Sequence, residues 1–222
     1  MTGIFGNSSR SNSVSDHSPF KQVVGIDDLA VYIPQLYLPL EGEFSRRREI
    51  DPGKLTRGIG IERMAIPDAH EDAATMAAMS LLELMRRCDL LPEDIGKIHV
   101  GTESAVDEAK AIGTYVIGML EKVYGPGSFQ HCSTVEFKSA CIGTTLALES
   151  ISYWVAADEG ERVGVVIASD VAKYPLGSSG EYTQGAGSVS LLVKKNPRIA
   201  ALEQIYGCFT RDENDFFRPT GC

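Results

Sequence analysis

Cys141 stands in the run VEFKSACIGTT, where a strand-like stretch gives way to a long apolar segment of helical character. A thiol at a helix start lies near unpaired backbone N–H groups and the positive end of the helix dipole, which favours the reactive thiolate. The small neighbours Ser139, Ala140 and Gly143 leave room for a thioester, and a backbone N–H at that turn can act as an oxyanion donor. The same position also suits a small residue that only packs a strand–helix turn, so on spacing alone both readings stand. Glu103, in VGTESAVDEAK, follows a predicted strand over Gly96 to Val100. Ligands of open α/β sheets bind at the carboxyl ends of strands, so a carboxylate there is placed to be a base, with a solvated loop glutamate as the alternative.

The other reactive residue types carry less. Five cysteines with no CxxC pair argue against a disulfide framework and against a cysteine-rich zinc site, and no metal centre is expected. Cys88, Cys132 and Cys208 read as small buried hydrophobes. His17, His70, His99 and His131 are unpromising as catalytic bases: His17 falls in a serine-rich tail and His99 inside a buried strand, while His131 and Cys132, as strand neighbours, would point to opposite faces. The glycine-rich stretch GEYTQGAGSVS, Gly180 to Ser190, lacks the Lys-Ser/Thr ending of a phosphate loop. Its glycines suit close backbone packing or the wall of an acyl pocket.

The elements that must position these residues are legible in outline. Residues 1 to 20 hold six serines and almost no apolar periodicity, which predicts a disordered extension ahead of one domain over 21–222. Val23 to Ile33 reads as a strand, and Tyr37 to Glu62 as loop and short helix. Residues 71 to 88 form a helix with acidic start and basic end. Gly96 to Val100, His131 to Phe137, Val163 to Ala168 and Gly185 to Val193 read as strands; residues 107 to 124 and Ile142 to Ala157 read as helices, the second apolar on nearly every side. Strands without alternation are typical of parallel sheets covered on both faces, so the class is α/β, built of repeated βα units.

Composition narrows the function. The 30 acidic against 21 basic residues give a net charge of −9, with no basic cluster to track a phosphate backbone, which excludes nucleic acid as partner. No apolar run approaches the ~20 residues that span a bilayer, and the start lacks the pattern of a signal peptide, so a cytoplasmic protein is expected.

The motifs GTESAVDEAKA, VEFKSACIGTT, VIASDVAKYPLGSSGEYTQGAG and NDFFRPTG occur in the order and approximate spacing of hydroxymethylglutaryl-CoA (HMG-CoA) synthases, a family the chain resembles from about Val23 to Cys222. The resemblance implies a thiolase-like fold of αβαβα layers, of which 222 residues supply the amino-terminal half and the start of the second. It implies that Cys141 takes acetyl from acetyl-CoA and that Glu103 removes a methyl proton so that the carbon attacks acetoacetyl-CoA, a step of the mevalonate pathway. Asp51 and Lys54 resemble a segment at the CoA entrance, where Lys54 would pair with phosphates or simply be an exposed turn lysine. Ser179 and Thr183 resemble residues touching the acyl chain or pantetheine arm, and Asp107, Asp170 and Asp215 match acidic positions that support the site.

The resemblance further implies CoA thioesters as partners, no cofactor, and a homodimer at full length. The family's general acid/base histidine lies beyond DFFRPTG and has no counterpart here, so this length alone is expected to be inactive as a synthase, with no turnover. A polyketide β-branching synthase with carrier-bound donors and an initiating ketoacyl synthase share the cysteine chemistry. A noncatalytic scaffold subunit would need neither Glu103 nor Cys141.

Overall fold

The computed structural model describes residues 22–203 and 207–214; the serine-rich extension, Asp215 and the rest of the DFFRPTG motif lie outside the described residues. In chain order the elements are β1 (Val24–Tyr32), β2 (Leu36–Pro39), a helical turn α1 (Ser45–Arg47), β3 (Arg63–Ile66), α2 (Ala73–Arg87) and β4 (Ile95–Gly101). There follow α3 (Ile112–Tyr124), β5 (Ser133–Phe137), α4 (Gly143–Ala157), β6 (Val163–Ala172), β7 (Gly185–Lys195) and β8 (Ala200–Ala201).

Six strands form one sheet in the order β5-β4-β6-β7-β1-β8, and β2 pairs with β3 in a separate two-stranded sheet. Only β5, β4 and β6 run parallel; β7, β1 and β8 pair antiparallel with their neighbours. The expectation of a parallel βα repeat is therefore corrected to a mixed sheet. Burial explains why the sequence did not separate the two, because β6 is covered on both faces whatever its direction. Val165 and Ile167 pack in the cluster with α2 and α3, whereas Val166 joins Ala147, Ile151 and Val155 of α4. A strand buried twice shows no alternation.

Several boundaries shift for local reasons. α2 begins after Asp72, whose carboxylate accepts the Thr75 N–H at 2.7 Å while the Thr75 hydroxyl accepts the Asp72 N–H at 2.7 Å, a reciprocal cap. α3 begins at Ile112, not near 107, because Asp107 accepts the N–H groups of Ala109 and Lys110 at 2.8 and 2.7 Å and holds that segment as a turn. Glu136 of β5 then accepts the Ile112 N–H at 2.8 Å, tying the helix start to the sheet. His131 and Cys132 precede β5 instead of lying in it, so strand alternation says nothing about them. α4 is buried along one stripe, Gly143, Ala147, Ile151, Ser152 and Val155, while Tyr153 is exposed, so it is not enclosed on every side. The segment read as loop before Glu62 contains β2, whose four residues are all exposed and carry no buried face to betray it.

His99 lies on the α4 side of β4, 4% exposed, its ring centroid 5.3 Å from that of Phe137. Its Nδ1 is buried without a hydrogen-bond partner. Burial, reinforced by Lys97, holds its pKa below the usual histidine value, so the folded protein resists protonation. The unfolded chain takes up a proton as pH falls through about 6.5, so this contribution to stability is present above that pH and is lost on acidification. Urea unfolding is expected to weaken between about pH 7 and 5 more in the wild type than in His99→Leu. Parallel pH slopes for the two proteins would remove His99 as a cause.

Candidate active site

The carboxyl ends of the three parallel strands meet in register. Gly101 pairs with Phe137 of β5 and with Ala168 of β6, and the Thr102 N–H donates to the Phe137 carbonyl at 3.2 Å. Glu103, Cys141 and Asp170 each follow within a few residues of these paired positions, so all three lie at one end of the sheet. This is the position at which open α/β sheets bind ligands.

Two glycines let the start of α4 press against the strand ends. A Cβ on Gly101 would lie 2.3 Å from the Thr144 nitrogen, and one on Gly143 would lie 2.5 Å from the Phe137 carbonyl oxygen. Both distances are far inside contact, so any side chain there would push the helix off the sheet. The turn that carries Cys141 is tight as well. Ala140 has φ 45°, a left-handed conformation that costs a non-glycine residue strain, and the Gly143 N–H donates to its carbonyl at 3.2 Å. Cys141 is exposed and stands just ahead of the helix, with Ile142 as the N-cap, rather than within its first turn. The Gly143 N–H is thus engaged in the turn. The contrast with Cys132 is chemical: burial pushes that thiol up to about 12.

Glu103 is half-buried in the loop that follows β4. Its Oε2 is buried and has no hydrogen-bond partner. A buried carboxylate oxygen with no partner among the described residues calls for an explanation, a catalytic role being one. The residue is anchored through its main chain, its N–H donating to Asp170 Oδ1 at 2.7 Å. The same oxygen faces the hydroxyls of Ser104 at 2.9 Å and Thr102 at 2.8 Å. Asp170 therefore holds the turn that presents Glu103. Asp107 supports the next stretch: backbone bonds from Lys110 and Ala109 keep its carboxyl below the usual range, and its other oxygen accepts the Tyr115 hydroxyl at 3.2 Å.

The residues likened to a CoA entrance form a second group. Asp51 caps its own turn by accepting the Gly53 N–H at 2.9 Å, and the Lys54 ammonium lies 5.7 Å from the Tyr182 ring centroid. Thr183, next to Tyr182, is exposed, and its hydroxyl donates to the Gly180 carbonyl at 2.8 Å. Ser179 is exposed too. At the paired ends of β6 and β7, where Ala172 faces Gly185, lies a cavity of about 470 Å³ whose lining includes Val171, Ala172, Lys173, Glu181, Gln184 and Gly185, closed by Arg48 and by Met64 and Ile66 of β3. The glycine-rich stretch thus contributes a cavity wall. Close packing holds weakly there, since a Cβ on Gly187 would lie 3.4 Å from the Tyr32 carbonyl and one on Gly185 would meet open space.

Sequence reasoning missed the pair that braces this wall. Glu181 is buried, accepts both guanidinium N–H groups of Arg48 at 2.7 Å, and takes the Gly177 N–H at 2.7 Å. The Arg48 hydrogen bonds hold the Glu181 carboxyl below its usual range despite burial, and Arg48 is raised in turn. A carboxylate amid glycines was a signal, but nothing in the chain paired it with an arginine so far away. Among the described residues, no group of three or more His, Cys, Asp or Glu is placed to hold a metal ion, and no helix is long and apolar enough to cross a membrane.

Residues 20–198 match the family described as hydroxymethylglutaryl-coenzyme A synthase N terminal. A hydroxymethylglutaryl-CoA synthase of Haloferax volcanii is 41% identical over 197 residues, covering 88% of this chain and 44% of the relative. The solved structure of MvaS in complex with 3-hydroxy-3-methylglutaryl coenzyme A superposes with a TM-score of 0.79 at 36% identity, over 90% of this chain and 47% of that one. The HMG synthase of the curacin biosynthetic pathway, solved with its holo donor-ACP, matches at 25% identity and TM-score 0.71, over 86% of this chain and 47% of that one. The chain thus spans about half the length of the relatives it matches.

Proposed function

The chain belongs to the hydroxymethylglutaryl-CoA synthase family, and from that premise we propose that it carries the acyl-enzyme half of a site condensing acetyl-CoA with acetoacetyl-CoA. The observation that carries this reading is the pairing, at one sheet end, of an exposed thiol on a strained turn with a glutamate whose Oε2 is buried and unpartnered. The Cys141 thiolate attacks the acetyl carbonyl, the carbon–sulfur bond to CoA breaks, and CoA leaves as its thiol after gaining a proton. Glu103 then accepts a proton from the acetyl methyl, which the thioester has acidified. The carbon left behind forms a bond to the keto carbon of acetoacetyl-CoA, whose oxygen takes up a proton. Water finally cleaves the bond to Cys141 and releases HMG-CoA, the intermediate of the mevalonate pathway.

Under this reading no metal or organic cofactor is required, since the cysteine carries the acyl group and the thioester acidifies the methyl. The same reading makes the enzyme a cytoplasmic homodimer acting on soluble CoA thioesters. Lys54, Asp51, Ser179 and Thr183 would serve the CoA arm. Free CoA is favoured over a carrier protein because similarity is greater to the synthase bound to HMG-CoA than to the carrier-linked one. Intact-mass measurement decides: acetyl-CoA is expected to acetylate the protein, and an acetyl carrier protein to do so far more slowly. Loading by the carrier alone would transfer the chain to the β-branching class.

A further inference from the structure

The hydroxyls on either side of Glu103 have no assigned role. Thr102 is fully buried, and its Oγ lies 2.8 Å from both the Ser169 carbonyl and Asp170 Oδ1, while accepting the Ser104 N–H at 3.1 Å. A hydroxyl has one proton, so Thr102 donates to one of these acceptors at a time. Asp170 Oδ1 also takes the Glu103 N–H at 2.7 Å and the Ser104 hydroxyl at 2.9 Å. Thr102 thus ties the end of β4 to Ser169 and Asp170 of β6. Ser104 does something different. While donating to Asp170, its Oγ accepts the Val171 N–H at 2.8 Å, joining the Glu103 turn to both the side chain and the main chain of β6.

Val171 is also the first residue of the cavity wall formed by Val171, Ala172 and Lys173. The carboxylate of Glu103 makes no hydrogen bond through its buried Oε2, so its aim depends on how firmly the turn beneath it is held. From this geometry we infer that Ser104 is a positioning residue for proton abstraction: it fixes the Glu103 turn against both the Asp170 side chain and the Val171 main chain of β6. The inference rests on the reading of Glu103 as base and Cys141 as acyl carrier. Losing the hydroxyl removes a donor to Asp170 and an acceptor for Val171 without touching substrate. A base displaced by a fraction of an ångström abstracts protons slowly, yet the thiol that loads is unaffected.

The test separates these steps on the chain, alone and with the complementary half of a relative supplied in trans. Acetyl-CoA is given in D2O, and mass spectrometry of the Cys141 peptide reports both the acetyl adduct and deuterium entering its methyl group. Ser104→Ala is expected to load at the wild-type rate and to exchange methyl protons roughly 10- to 100-fold more slowly, with Ser104→Thr restoring most of the loss. Wild-type exchange in Ser104→Ala overturns the inference. So does a parallel fall in loading, exchange and unfolding midpoint, which marks a structural role only. Exchange at the wild-type rate in Glu103→Gln instead removes the base on which the inference depends, and a wild-type protein that neither loads nor exchanges in either setting removes the acyl-enzyme reading itself.

Discussion

Cys141→Ala is expected to abolish acetylation by acetyl-CoA outright, while Cys132→Ala and Cys208→Ala leave it unchanged. Nucleophilic attack needs a thiolate that a thioester can reach. Burial raises the Cys132 thiol to about 12, so at neutral pH only roughly one part in 10⁵ is ionised. Cys88 is raised as well, by burial first and then by the charge of Asp28. Cys208 is exposed, like Cys141 and unlike the small buried hydrophobe expected, and it follows β8 in the chain outside any helix start. Among the described cysteines, Cys141 alone joins exposure to a turn pressed against the ends of β4 and β5. Intact mass with and without acetyl-CoA reads the outcome, and an acetyl adduct that persists in Cys141→Ala would show that the nucleophile is another group.

Glu103→Ala should leave that loading intact and depress condensation by ~10² to 10⁴, the usual contribution of a general base. Expressed as a barrier, the loss is about 3–5 kcal/mol. The separation follows from the chemistry, since forming the acyl-cysteine breaks no carbon–hydrogen bond and making the new carbon–carbon bond does. Glu103→Gln is the sharper variant because it keeps the shape of the side chain and the backbone bond to Asp170 while removing basicity. Turnover is followed as CoA release in the presence of acetoacetyl-CoA, with the complementary half supplied. Near-normal turnover in either variant removes Glu103 from the mechanism, whereas a matching fall in loading reassigns it to the shape of the site.

The sequence made Cys141 legible because a reactive thiol needs small neighbours and a strand–helix junction, and both are local. Residue type and spacing made Glu103 visible as a carboxylate past a strand, with a solvated loop residue as the alternative, and the likeness of GTESAVDEAKA gave it the role of base. The burial of Oε2 is a property created by surrounding chain that no local window contains. Ser104 and Thr102 stood beside it unread, because a hydroxyl gains a role only from its partners, here Asp170, Ser169 and Val171 of a strand far along the chain. The Arg48–Glu181 pair was hidden for the same reason.

By itself, the sequence determined the α/β class, the helices carried by Ala73–Arg87 and Gly143–Ala157, and the family. Those depend on periodicity, caps and ordered motifs, which are properties of neighbouring residues. Tertiary structure decided the direction of β7 and β1, the start of α3 at Ile112, and the convergence of Glu103, Cys141 and Asp170 at one sheet end. Strand direction leaves no mark in residues buried on both faces, since the same apolar run pairs either way. The seat of α4 turned on two glycines whose need appears only when backbone from another element comes within about 2.5 Å of where a side chain would be.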